Sequence, residues 1–162
     1  MLRLNFKNIT LAFCLFFALT SCDKQVVYEK NTDLENAQWQ LEDTLVFETK
    51  ILDTKAKNLY LNFRHDFDFN WRNIWLDLSI KFPNDSTYTF PLNIPLSQPN
   101  GEWFGESSGN LYLIQFPIEA YSNYSFSDTG NYVFSINHQM RELPLQHALS
   151  AGIRIENTVI KN

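Results

Sequence analysis

Cysteine is almost absent from this chain. Its 162 residues hold two, Cys14 and Cys22, and both fall within the first 22. Arg3 and Lys7 open that segment. Ile9 to Leu19 follows as an apolar run, too short to cross a bilayer stably. Leu19-Thr20-Ser21-Cys22 then leads small residues into a cysteine. Charge, apolar core and small-residue cleavage site, in that order, mark a removable export signal. A cysteine at the cut makes it a lipoprotein signal, because its thiol accepts a diacylglyceryl group and its freed amine a further acyl chain. The reading is a signal over 1–21 and a lipidated Cys22, held by several acyl chains because one chain alone anchors only marginally. The mature domain then keeps no free thiol for a disulfide, a metal or a nucleophile.

Positive charge is also scarce. Removing 1–21 takes two of the 13 basic residues and leaves all 18 acidic ones, moving the formal net charge from −5 to −7. An acidic domain gains nothing from a phosphate backbone, which argues against nucleic acid as a partner. No polybasic patch serves anionic headgroups, so the lipid alone has to hold the protein to its membrane. No Gly-x-Ser-x-Gly elbow is present. There is no internal repeat and no long amphipathic helix.

Aromatic residues, by contrast, abound. Four Trp, seven Tyr and fourteen Phe favour half-buried pleated surfaces and so point to strands. Residues 23–36 are mostly polar and read as a tether behind Cys22, reaching ~50 Å fully stretched and nearer ~20 Å as a coil. Val26-Val27-Tyr28 is the one stretch within it able to pair as a short strand. The folded domain is expected over 37–162. Leu59, Leu61 and Phe63 alternate with polar neighbours. Ile74, Leu76, Leu78, Ile80 and Phe82 face one way, with Asp77, Ser79 and Lys81 facing the other, the pattern of a strand with one buried face. Pro83-Asn84-Asp85-Ser86 turns the chain, and Tyr88, Phe90 and Leu92 complete a hairpin. Pro91 and Pro95 cannot donate ladder hydrogen bonds, which makes 88–96 an edge strand. Residues 111–116 and 118–121 read as extended. Tyr132, Phe134, Ile136 and His138 share one face. Residues 141–150 have weak helical character interrupted by Pro144, and 153–155 is the last strand. Eight or so strands in one domain suggest an all-β antiparallel sandwich, jelly-roll or immunoglobulin-like, with a closed barrel as the alternative.

The residues bear on three kinds of chemistry. His65-Asp66-Phe67-Asp68 places two carboxylates and an imidazole close in sequence, but a closed metal site needs three or four converging ligands, and His138 and His147 lie far away along the chain. A solvated loop fits better, and no metal or other cofactor is expected. No catalytic residue stands out; His138 reads as a core histidine with a backbone partner. Binding through aromatics is the third. Trp71, Trp75, Trp103, Phe104, Tyr121 and Tyr124 lie in or near loops, where exposed rings mark interfaces and also suit stacking on sugars. Trp103-Phe104, between Pro99-Asn100-Gly101 and Gly105, reads either as a partner's anchor or as a plug in the end of the core.

Taken in order, several blocks carry a likeness. They are Ser21-Cys22-Asp23, Val27-Tyr28-Glu29, Trp39 with Asp43 to Phe47, and Asn58 to Arg64. Phe82-Pro83-Asn84-Asp85, Gly101 to Gly105, Gly130-Asn131-Tyr132, Gln139-Met140-Arg141 and Gly152 to Glu156 continue it. The chain resembles the GldH family of gliding motility lipoproteins of the Bacteroidetes, with a shorter and less Gly-rich connection from Arg141 to Gly152. The resemblance implies a non-enzymatic lipoprotein of the envelope, resident in the outer membrane. It implies partners among the gliding and type IX secretion proteins that export and move surface adhesins. Asp23-Lys24 lacks an acidic surface-export run, which favours the periplasmic leaflet over the cell surface. A carbohydrate-binding envelope lipoprotein is the alternative function.

Overall fold

The computed structural model describes residues 25–158; the signal and Cys22 lie outside them. The strands are β1 (Val26–Asp33), β2 (Gln38–Trp39), β3 (Leu45–Ile51), β4 (Ala56–Asp66), β5 (Asn73–Lys81) and β6 (Thr87–Pro95). β7 (Glu106–Ser108), β8 (Leu111–Pro117), β9 (Tyr124–Ser125), β10 (Gly130–His138), β11 (Leu145–Gln146) and β12 (Ala148–Asn157) complete the set. Among the described residues, helix is confined to two single 3-10 turns, Glu35–Ala37 and Glu119–Tyr121. None there is long and apolar enough to cross a membrane.

Two antiparallel sheets face each other. One has six strands in the order β1-β12-β4-β8-β7, with β9 also on β4; the other has four, β3-β10-β5-β6. The short pair β11-β2 closes one corner. Alternation along the strands explains the core. Ile74, Leu76, Leu78 and Ile80 of β5 are fully buried, as are Phe134 and Ile136 of β10. Leu59, Leu61 and Phe63 of β4 meet them from the opposite sheet, with Ile153 and Ile155 of β12. The fold is the expected all-β sandwich, and β6, with Pro91 and Pro95, is indeed an edge strand.

The stretch read as a tether is corrected. Val26–Asp33 is an edge strand whose residues pair with β12 from Glu156 to Ser150. Asn157 N–H extends the ladder to the Gln25 carbonyl at 2.8 Å. Leu34 is buried, and its N–H bonds the Leu149 carbonyl at 2.9 Å. The polar side chains that suggested a tether belong to a strand with a hydrogen-bonded outer face. Asn31 of β1 and Asn62 of β4 lie on either side of Gly152 of β12. With no side chain between them, the Asn62 amide donates to Asn31 Oδ1 at 3.1 Å and to Glu29 Oε1 at 2.9 Å. Glu29 also takes Arg154 Nη1 at 2.6 Å. Asn62 is only 2% exposed although it points away from the core. A buried amide is tolerated when it is bonded in this way.

Two local expectations also change. Residues 118–121 form a 3-10 turn rather than a strand, with Tyr121 N–H on the Ile118 carbonyl at 2.8 Å. Residues 141–150 are not helical. They turn through Pro144 into β11, and β12 begins already at Ala148. The start of β12 was hidden because Ala148, Ser150, Ala151 and Gly152 are small and show no apolar alternation, yet all are buried.

Candidate functional site

Four of the six loop aromatics, Trp71, Trp75, Trp103 and Phe104, come to one end of the sandwich, carried by the β4–β5 connection, the start of β5 and the β6–β7 connection. Leu96 N–H bonds the Arg72 carbonyl at 2.8 Å, Arg72 Nη2 bonds the Gln98 carbonyl at 2.7 Å, and Phe104 N–H bonds the Leu96 carbonyl at 2.7 Å. These bonds hold the two connections together.

Within this end, Trp71 and Trp75 line a groove of about 460 Å³ together with Asn73, Pro91, Gln139, Met140 and Arg141. Trp75 is 44% exposed and Trp71 37%. Trp75 is exposed because β5 buries its even-numbered residues, leaving odd positions on the outer face. The groove's walls are fixed by hydrogen bonds. Trp71 Nε1 donates to Glu142 Oε2 at 2.5 Å, and Asn73 Nδ2 to Asn93 Oδ1 at 2.6 Å. Gln139 Nε2 donates to Asp77 Oδ2 at 2.9 Å, while its backbone N–H holds the Trp75 carbonyl at 2.8 Å. The result is two indole faces beside amide and guanidinium groups. That chemistry suits an apolar side chain with a polar rim around it, or a sugar ring. Sequence reasoning found the two tryptophans but not Asn73, Pro91 or Gln139 to Arg141, because β10 reaches the groove only through sheet pairing. The one signal was Gln139-Met140-Arg141, a block of the family likeness.

Trp103 behaves differently. It is half-buried against the core, with its ring edge-on to His65 at 4.6 Å and tilted to Tyr112 at 6.1 Å. Phe104 is exposed beside it. Of the other loop aromatics, Tyr121 is buried and Tyr124 half-buried. Inside the opposite end, Tyr121 stacks on Phe90 and tilts against Tyr124, which meets Phe126 edge-on. Burial pushes the Tyr121 hydroxyl up to about 12, with smaller contributions from Tyr124 and Tyr88.

The acidic loop is regrouped by folding. His65 turns into the core, fully buried, against Phe63, Phe69 and Tyr112. His147, distant in sequence, takes its place. Its Nδ1 lies 2.9 Å from Asp66 Oδ2, and Asp66, Asp68 and His147 offer ligand atoms within 4.8 Å of one another. The grouping of His65 with Asp66 and Asp68 is therefore replaced by one that alternation in β4 dictates. His138 is buried as expected, accepts the Met140 N–H at 3.3 Å and meets Trp39 edge-on. Burial holds the imidazoles of His65 and His138 below the ordinary range.

The model of the family described as GldH lipoprotein matches residues 26–155, which spans β1 through most of β12. The chain belongs to the GldH lipoprotein family. It is 29% identical over 147 residues to the gliding motility lipoprotein GldH homolog of Christiangramia forsetii, covering 86% of this chain and 88% of that one. It is 26% identical over 158 residues to gliding motility lipoprotein GldH of Flavobacterium johnsoniae, covering 93% and 96%. Among solved structures, an infectious bursal disease virus Gt strain chain aligns with TM-score 0.36 and 8% identity. It covers 82% of this chain and 32% of that one, a likeness too weak to argue from. The GldH match takes in the whole groove, from Trp71 to Arg141, and also β1. The GldH lipoproteins are not a known enzyme family.

Proposed function

We propose that this protein is a non-enzymatic gliding motility lipoprotein, anchored by lipid on Cys22 in the periplasmic leaflet of the outer membrane. It supports the gliding apparatus and the linked type IX secretion of adhesins through protein contacts. Family membership over 26–155 is the observation that carries this reading. The Trp71–Trp75 groove supports the contact mechanism, because exposed tryptophans in a fixed, partly apolar recess are the usual anchors of protein interfaces. The experiment is complementation of a deletion strain. The parent gene should restore spreading on agar and secretion of adhesins. Cys22→Ala should take up no clickable palmitate and restore neither. Trp75→Ala should be lipidated and folded, yet fail to capture from membranes the gliding or secretion components that the parent captures. Full gliding by both variants sinks the proposal.

A saccharide is the second reading, favoured by the Asn73, Asn93 and Gln139 amides beside the Trp75 indole. Flat rings flanked by amides are what a pyranose needs for stacking and hydrogen bonding. Specific binding on a glycan array, lost in Trp75→Ala with no protein captured, would make it the better account.

A further inference from the structure

The two ends of the sandwich differ in chemistry, and the ladder decides which of them meets the membrane. Gln25 is already fixed by the Asn157 N–H. Only Asp23 and Lys24 lie between it and Cys22, so the cysteine stands at most ~11 Å from the folded domain. β1 runs from there alongside the far end of β12, Val26 opposite Glu156. Asn157 of β12 pairs with Lys57 at the start of β4, and Ile51 of β3 with Gly130 of β10. The same end therefore carries the 52–55 turn, the 82–86 turn of the β5–β6 hairpin and the 126–129 segment. The groove lies at the other end, about 30 Å away along a ten-residue strand.

We propose that the protein stands on its membrane on this first end. Leu52 and the neighbouring turns are pressed to the lipid headgroups, and the Trp71–Trp75 groove is held outward toward its partner. The proposal rests on the reading of Cys22 as the lipidated residue. Leu52 is 75% exposed at the tip of its turn, an apolar side chain with no use for water on that side. Of the charges around it, Asp53 is paired with Lys57 and Asp85 with Lys81 at 2.8 Å, and Lys50 and Lys55 are exposed. Two exposed lysines fall short of the roughly four to eight basic residues that draw a domain to anionic lipid. The contact is thus imposed by the short covalent link and needs the acyl chains. The outer face of the six-stranded sheet is a poorer base, since it carries Glu29, Asp33, Arg64 and Arg154.

The test uses the full lipidated protein in vesicles of phosphatidylethanolamine and phosphatidylglycerol that carry a headgroup-level quencher. Because Cys22 is consumed by lipid and no other cysteine follows it, one introduced thiol can be labelled cleanly. The fluorescent label is placed in L52C, in T89C and L113C on the two outer faces, and in N100C at the groove end. Quenching is expected to be several-fold greater at L52C than at N100C, since the ends stand about 30 Å apart. It should fall to the N100C level when a fifteen-residue Gly-Ser segment, spanning roughly 20 Å as a coil, is inserted after Lys24. Equal quenching at L52C and N100C, or stronger quenching at T89C or L113C, overturns the orientation while leaving the lipid reading intact. Protein recovered from cells without lipid on Cys22 overturns both.

Discussion

Gly152→Ala is the substitution that most directly tests how the first strand is held. Gly152 sits in β12 between Asn31 of β1 and Asn62 of β4. A methyl group there would collide with the Asn31 side chain, the Lys30 carbonyl oxygen and, at 2.8 Å, Asn31 Cα. Two of these are backbone atoms of β1, so no rotamer change relieves the clash, and the strand has to move. Overpacking of this kind costs ~1–3 kcal/mol. The bridge from the Asn62 amide to Asn31 and Glu29 is blocked at the same time. Two net hydrogen bonds and a buried amide nitrogen left without acceptors, while Asn62 Oδ1 keeps its bond from Gln115, add roughly 2–3 kcal/mol. Replacing glycine returns only ~0.4–1 kcal/mol through the unfolded chain. The sum, about 2–6 kcal/mol, should lower the melting temperature by on the order of 10 °C in a domain of this size. Hydrogen exchange should show the loss concentrated in the β1 amides. Freeing β1 would also lengthen the link to Cys22, so the variant should be stably lipidated but poorly oriented. A variant that melts at or above the parent, with β1 amides as protected as before, refutes the reasoning about this bridge.

Leu78→Ala, at a fully buried position of β5, should cost ~2–5 kcal/mol by chemical denaturation. Lys81→Ala, which loses only an exposed pair with Asp85, should leave the denaturation midpoint essentially unchanged, and equal losses would mean the faces are misassigned. Trp103→Ala removes a half-buried ring from beside His65 and should destabilise by ~2 kcal/mol or more. Trp75→Ala should melt closer to the parent yet lose partner capture; a reversal of the two would exchange plug and anchor. For His65 and His138 the folded-state values are depressed by burial, so as pH falls the unfolded chain takes up protons first. Their contribution is complete above ~6.5 and is lost below it, at up to ~1.4 kcal/mol per pH unit for each residue. Melting curves from pH 7.5 to 5 should show this decline, weakened in His138→Gln after its own baseline loss, and a flat profile would contradict it.

What the sequence by itself determined is the part that hydrophobic alternation writes directly. Residues 74–80 announce one buried and one wet face because a strand repeats every two residues. Pro91 and Pro95 mark an edge because they carry no amide proton to donate. His138 shares the apolar face of Phe134 and Ile136 and is buried with them. Fold class and family were both legible at that level. Other features are set by neighbours brought in from far along the chain, and these only the tertiary structure decided. β1 is polar and reads as a tether; it is a strand because β12 offers it a glycine trench and a row of hydrogen-bonding partners. His147 meets Asp66 across 81 positions, while His65, next door in sequence, points the opposite way because adjacent strand residues face opposite sides. Trp75 was visible as an outward ring. The recess around it required Asn93 from β6 and Gln139 from the end of β10, placed there by antiparallel register. Local pattern fixes which way a side chain points; what it then touches depends on strands whose pairing no short stretch of sequence encodes.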